Sequence, residues 1–152
     1  MEFQFIAGFG PIGTDADATH TFWASTLGIP FEELAPGYFH ADGLDGAKAF
    51  ALWPLDQASE ATFGTPQWPI DRPVPQAWIE LEVSSPEAVA HTAERLREAG
   101  QEILVDAHQE PWGQTTARLL SPEGLLVGIS YLPSFHADEE TSADSPPGLS
   151  AD

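Results

Sequence analysis

The chain has 152 residues, 42% of them apolar, which suffices for one domain or for two small modules that share a core. It carries 24 acids against five bases, a formal charge of −19; such a chain repels phosphate backbones, which excludes nucleic acid as a partner and favours cationic ones. There is no cysteine, so disulfide and thiolate chemistry are excluded and a cytoplasmic location is expected, and no run approaches the roughly 18 apolar residues of a membrane span.

The opening Met1-Glu2-Phe3-Gln4-Phe5 lacks the basic region and apolar core of a signal peptide. From Phe3 to Gly10 the residues alternate, Phe3, Phe5, Ala7 and Phe9 against Gln4, Ile6, Gly8 and Gly10, which predicts a strand with one face on a core. Thr14 or Asp15 caps a helix that runs to about Leu27 and stops at Gly28. Short strands are expected at Phe31 to Leu34, Gly37 to His40 and Lys48 to Trp53, around turns rich in Gly and Asp. Pro54 to Pro75 reads as a linker that nonetheless carries Phe63 and Trp68.

The pattern then starts again. Gln76 to Val83 alternates strictly. Ser84 or Ser85 caps a second helix, with Pro86 and Glu87 in its first turn, a stripe of Val89, Ala93 and Leu96, and Gly100 at its end. Strands follow at Glu102 to Val105, Thr115 to Leu120 and Leu125 to Leu132, the last two joined by Ser121-Pro122-Glu123-Gly124. The order strand–helix–three strands is therefore written twice, which points to an internal duplication closing two modules into one cup. The expected division is a first module over 1–55, a linker over 56–75, a second module over 76–133 and a tail over 134–152. The tail holds five acids, no bases and two adjacent prolines. It reads as disordered, and everything from Pro133 onward is expected to be dispensable for folding.

This order resembles the vicinal oxygen chelate superfamily, which includes glyoxalase I, extradiol dioxygenases and bleomycin resistance proteins. The residues that carry the resemblance are Phe22-Trp23-Ala24-Ser25-Thr26-Leu27-Gly28 in the first helix, Glu110-Pro111-Trp112-Gly113-Gln114, and Ser121-Pro122-Glu123-Gly124. The resemblance implies an α+β fold of two βαβββ modules whose curved mixed sheets form a cup, with helices packed outside. It also implies His or Glu metal ligands at cup-facing positions, and a homodimer. By register those positions fall at Gly8, Trp78 and Gly128, with a fourth in the strand Lys48 to Trp53, which has no His, Asp or Glu. Glycine has no side chain to donate and indole is not a ligand, whereas a divalent metal needs three or four N, O or S donors. The expectation is therefore no metal and no cofactor, and room in the cup where Gly128 stands.

If Trp78 faces that room, Glu80 and Glu82 share its face, as do Leu126, Gly128 and Ser130 in the last strand and Ile6, Gly8 and Gly10 in the first. Ile79, Leu81 and Val83 then face the helices. Trp53, Phe63, Trp68 and Trp112 could close the rim. The candidate ligand-binding set is Trp53, Phe63, Trp68, Trp78, Glu80, Glu82, Trp112, Leu126, Gly128 and Ser130. Carboxylates beside indole rings suit a cationic or aromatic small molecule, and the bleomycin-resistance branch is the nearest pattern. Alternatives stand beside this reading. The tryptophans could be core, with the cup closed by its own rings. Glu80 and Glu82 could lie on a solvent-facing sheet. An enzyme could use displaced ligands drawn from His40, Glu80, Glu82 and His108, or Glu80 or Glu82 as a metal-free acid–base pair. His20 and His91 read as helix-surface residues.

Overall fold

A computed structural model describes residues 1–26, 29–121 and 124–137. Leu27 and Gly28 of the first helix pattern, Pro122 and Glu123 of the hairpin turn, and the tail from Asp138 lie outside the described residues. The elements are β1 (Phe5–Gly13), α1 (Ala16–His20) continued by a π-helical turn (Thr21–Thr26), β2 (Glu32–Ala35), β3 (Tyr38–Ala41), β4 (Ala49–Pro54) and α2 (Leu55–Phe63). They continue with β5 (Ala77–Glu82), α3 (Pro86–Glu98), β6 (Val105–Gln109), β7 (Thr115–Leu120), β8 (Leu126–Tyr131) and a 3-10 helix (Pro133–His136).

The strands form one sheet in the order β2-β3-β4-β1-β5-β8-β7-β6. Within each module the first strand pairs with the fourth in parallel, β1 with β4 and β5 with β8. The two modules join through antiparallel β1 and β5. This is the α+β arrangement of paired βαβββ units, with the duplication expressed as a single eight-stranded sheet.

Local signals place the helices. Asp15 caps α1 by accepting the Ala18 amide hydrogen at 3.0 Å, and Ser85 caps α3 by accepting that of Ala88 at 3.1 Å, with Pro86 opening the helix. Val89 and Ala93 on α3 are buried against Val83, Ala117, Leu119 and Ile129, with Leu96 packed at the edge. That core lies on the convex face. The second core, on the concave face, joins Ile12, Ala51, Trp53, Ala58, Trp68, Trp78 and Leu126.

Several expectations are corrected. The stretch expected as a linker from residue 56 contains a helix, α2, and its Ala58, Ser59 and Thr62 are buried. The proline-rich letters around it hid a nine-residue helical segment bounded by Pro54 and Gly64. The strand expected at Glu102 to Val105 begins only at Val105, next to an irregularity in its pairing with β7; Glu102 instead reaches Arg72, 2.6 Å away. A shift in register between Ile6 and Gly8 sets Ile6 opposite Leu81, so Ile6 leaves the cup face and is half-exposed, as is Phe9. His20 is stacked on Phe39, with ring centroids 3.9 Å apart, rather than free on the helix surface. The chain following Leu132 is not tail at first: the 3-10 helix buries His136. Among the described residues, no helix is long and apolar enough to cross a membrane.

Candidate functional site

Register sets the concave face out in three rows. Gly10, Trp78, Leu126 and Leu120 face one another across β1, β5, β8 and β7. The next row is Gly8, Glu80, Gly128 and Arg118, and the third is Phe5, Glu82, Ser130 and Thr116. The strict alternation of β5 thus places Trp78, Glu80 and Glu82 side by side, as its period of two requires.

The first row is filled. Trp78 and Leu126 are 4% and 1% exposed. Trp53 meets Trp78 edge-on at 5.3 Å, and Trp68 meets Phe63 at 4.9 Å. Helix α2 packs here, with Ala58 in the same cluster. Trp53, Trp68 and Trp78 are therefore interior residues rather than an open rim, as the alternative of a self-closed cup requires for this row. Gly10 is needed for it: a Cβ there would fall 1.8 Å from the Ala51 carbonyl oxygen and 2.7 Å from the Trp78 ring.

The second row holds the chemistry. Glu80 lies between two glycines. A Cβ on Gly8 would meet its Oε2 at 3.4 Å, and one on Gly128 would meet its Cγ at 3.0 Å. The room at Gly128 is thus taken up by the Glu80 side chain. Glu80 Oε2 accepts a hydrogen bond from Gln114 Nε2 at 3.0 Å, and the same nitrogen donates to Ser130 Oγ at 2.7 Å. The exposed Trp112 donates from Nε1 to Gln114 Oε1 at 2.7 Å, which turns the amide so that its NH2 faces Glu80.

Arg118 ends the row, 1% exposed. Its Nη2 donates to Glu110 Oε1 at 2.6 Å and its Nη1 to the Ala61 carbonyl of α2 at 2.9 Å. Its guanidinium lies 5.5 Å from the Trp53 ring centroid. Glu110 Oε1 also accepts from Thr116 at 2.9 Å and stands 3.3 Å from His108 Nε2. In the third row Glu82, fully buried, accepts the Leu132 amide hydrogen at 2.6 Å on Oε1, which is 3.0 Å from His136 Nε2.

Glu80 is part-buried, and loss of hydration pushes its carboxyl above the ordinary carboxylate value; the charges of Glu82 and Glu110 add to this, while Arg118 and the Gln114 hydrogen bond oppose it. Tyr38 is likewise raised, by burial first and then by the Glu80 charge. The sign for stability follows from linkage. Between the unfolded carboxyl value and the higher folded one, the native state binds more protons, so stability falls as pH rises through that window. Glu80→Gln is expected to remove that fall. Melting temperatures of both proteins from pH 4 to 8 check it, and parallel curves would show that Glu80 titrates normally.

The residues at the superfamily's metal positions do not fit a metal. Gly8 and Gly128 offer no donor, and Glu80 fills the space a side chain at 128 would need. Trp78 offers only an indole, and β4 has no donor side chain. Nor do His40, Glu80, Glu82 and His108 converge: Glu82 is engaged by His136 and His108 by Glu110. Among the described residues no three of His, Asp or Glu are grouped to hold a metal ion.

Of the expected residues, Glu80, Glu82, Gly128 and Ser130 come together, Trp53, Trp78, Trp68, Phe63 and Leu126 form the packed end beside them, and Trp112 touches the group through Gln114. Tyr38, Arg118 and His136 are not read from the sequence as site residues, and Glu110 and Gln114 are read there only as part of the motif around Trp112. Arg118 carried a signal: it is one of five basic residues and sits on the alternate face from Ala117 and Leu119 in an otherwise uncharged strand. An open cleft of about 400 Å³ lies elsewhere, between the starts of α1 and α2 near Gly13, Pro36, Pro54 and Gln57, and none of the expected site residues lines it.

No family model and no curated protein matches the chain. Solved structures do match in fold. One described as an NAD-dependent benzaldehyde dehydrogenase from Legionella pneumophila is 15% identical, with a TM-score of 0.57 over 81% of this chain and 96% of that one. A glyoxalase/bleomycin resistance protein/dioxygenase superfamily member from Vibrio splendidus 12B01 is 16% identical, with a TM-score of 0.54 over 82% and 96%. Methylmalonyl-CoA epimerase from Mycobacterium tuberculosis is 19% identical, with a TM-score of 0.54 over 90% and 93%. The chain has the glyoxalase-like, vicinal oxygen chelate fold. The descriptions of these structures differ in chemistry, so the fold leaves the function to the site.

Proposed function

We propose that this chain is a metal-independent protein of the bleomycin-resistance type that binds and sequesters a small cationic or aromatic molecule at Glu80. One observation carries the reading: Glu80 lies between two glycines with a neutral amide as its hydrogen-bond partner, while the neighbouring Arg118 is taken up by Glu110 and Ala61. A carboxylate whose hydrogen-bond partner among the described residues is a neutral amide, beside Tyr38 and the Trp53–Trp78 pair, suits a ligand that brings a positive charge and a ring. Glu80 ionises more fully as pH rises through its raised value, so a permanently charged ligand binds more tightly there.

Titration of chelator-treated protein, followed by tryptophan fluorescence, tests this with bleomycin-like glycopeptides, anthraquinones and aryl amines, each with and without divalent metal. The expected result is saturable quenching without metal, weakened about tenfold or more by Glu80→Gln. Binding that needs metal would sink the reading. A second reading, a lyase or isomerase using Glu80 as acid or base, draws on that residue's raised value. The same samples separate the two. A ligand recovered unchanged by chromatography supports sequestration, and a converted one supports the enzyme.

A further inference from the structure

Trp112 is 55% exposed, so packing accounts for little of its placement. Its ring N–H accounts for more. The turn from β6 into β7 is closed by two backbone bonds, from Gly113 N to the Glu110 carbonyl at 2.9 Å and from Glu110 N to the Gln114 carbonyl at 2.7 Å, and Gly113 takes φ 91° within it. Glu110 is itself fixed by Arg118 and Thr116. Trp112 and Gln114 therefore stand on a tied turn, and Trp112 Nε1 donates to Gln114 Oε1 at 2.7 Å.

An indole N–H only donates, so the amide oxygen of Gln114 must face it. The amide nitrogen then faces the other way, and both its hydrogens are used, one on Glu80 Oε2 at 3.0 Å and one on Ser130 Oγ at 2.7 Å. Turned over, the same amide would set its carbonyl oxygen against Glu80, an arrangement that repels an ionised carboxylate and accepts from a protonated one. The exposed indole thus decides which protonation state of a part-buried carboxyl the amide supports. The other charged and titratable groups near Glu80 are Tyr38 on β3, Glu82 on β5 itself, Glu110 in the turn and Arg118 on β7, while β1 and β8 present bare Gly8 and Gly128. Burial, Glu82 and Glu110 disfavour the carboxylate; Arg118 and the Gln114 bond favour it. Arg118 makes its hydrogen bonds to Glu110 and Ala61, so the Gln114 amide is the group that supports the Glu80 charge by direct contact.

We propose that Trp112 is a positioning residue for the Glu80 site: by fixing the direction of the Gln114 amide it holds Glu80 as an acceptor, and so sets the pH range in which the site takes a cation. The inference rests on the small-molecule reading above and narrows it. The ligand it favours keeps its positive charge across that range, and a neutral ring compound gains nothing from the Trp112–Gln114–Glu80 chain.

The test uses the full chain with carbon-13-labelled glutamate. Trp112→Phe keeps a ring and loses the N–H; Gln114→Leu and the double variant complete a cycle. Without ligand, NMR titration of the Glu80 carboxyl, assigned with Glu80→Gln, is expected to give a midpoint about one pH unit higher in Trp112→Phe, a tenfold gain in proton affinity. Gln114→Leu should raise it at least as far. Adding Trp112→Phe to Gln114→Leu should move it no further, because the indole acts through the amide. Phenyltrimethylammonium, whose charge does not titrate, then reads the ionised form by calorimetry. The pH below which its binding weakens should rise by the same amount in Trp112→Phe. An unmoved midpoint in either single variant overturns the proposal, and so does a Trp112→Phe shift of equal size in the Gln114→Leu protein. Unmoved midpoints with binding intact sink only the role of Trp112. If neither phenyltrimethylammonium nor the compounds of the preceding titration bind the wild type, the small-molecule reading falls and takes the cation selection with it.

Discussion

Glu110→Ala is expected to destabilise the fold by about 3–5 kcal/mol, the usual cost of removing one partner from a buried ion pair. Arg118 is 1% exposed and cannot shed its charge. Without Glu110 it keeps the Ala61 carbonyl and the Trp53 ring, neither of which neutralises it. Thr116 loses its acceptor in the same stroke. The double variant Glu110→Ala/Arg118→Met should recover much of the loss, because a methionine leaves no uncompensated charge and fills similar space. Urea denaturation of the two variants and the wild type checks both statements. A Glu110→Ala protein as stable as wild type would mean that the pair is hydrated and not the buried tie described here.

The second large effect comes from the chain's end. A protein that stops at Leu132 removes His136 from Glu82 and removes the cover over a carboxylate that is 0% exposed. One backbone amide, that of Leu132, then remains on Glu82 Oε1, and Oε2 already lacks a partner among the described residues. The expected loss is about 2–3 kcal/mol, from the hydrogen-bonding contact between His136 and Glu82 and the ring contacts of Phe135 and His136 with Phe5 and Tyr131. A protein that stops at Ala137 keeps the 3-10 helix, the Phe5–Phe135 and Tyr131–His136 ring contacts and the Glu82 partner, and should unfold with the full-length chain. Thermal unfolding of the two truncations decides it. Equal stability of both would restore the expectation that everything from Pro133 onward is dispensable.

The sequence by itself determined much of the fold. Strict alternation in Gln76 to Val83 fixed the face shared by Trp78, Glu80 and Glu82, since a period of two leaves no freedom once one residue is placed. Ser85 with Pro86, and the apolar stripe of Val89, Ala93 and Leu96, fixed α3 and its inward side, because caps and helical spacing are local chemistry. Bare glycine at 8 and 128, with indole at 78, already denied those positions a metal donor.

What tertiary structure decided is everything that joins residues distant in the chain. Gly128 reads alone as a missing side chain; only the pairing of β5 with β8 shows that Glu80 needs that space. Glu110 and Arg118 are eight residues apart, and their meeting depends on the course of the chain through β6 and β7. His136 looked like tail because burial of a lone histidine depends on Glu82, 54 residues away. Helix α2 looked like linker because its inward face, Ala58, Ser59 and Thr62, is small and partly polar, and it acquires a side only when the tryptophans of both modules are laid beneath it. Local propensity carries no information about such partners; burial and strand pairing, which come with the assembled sheet, do.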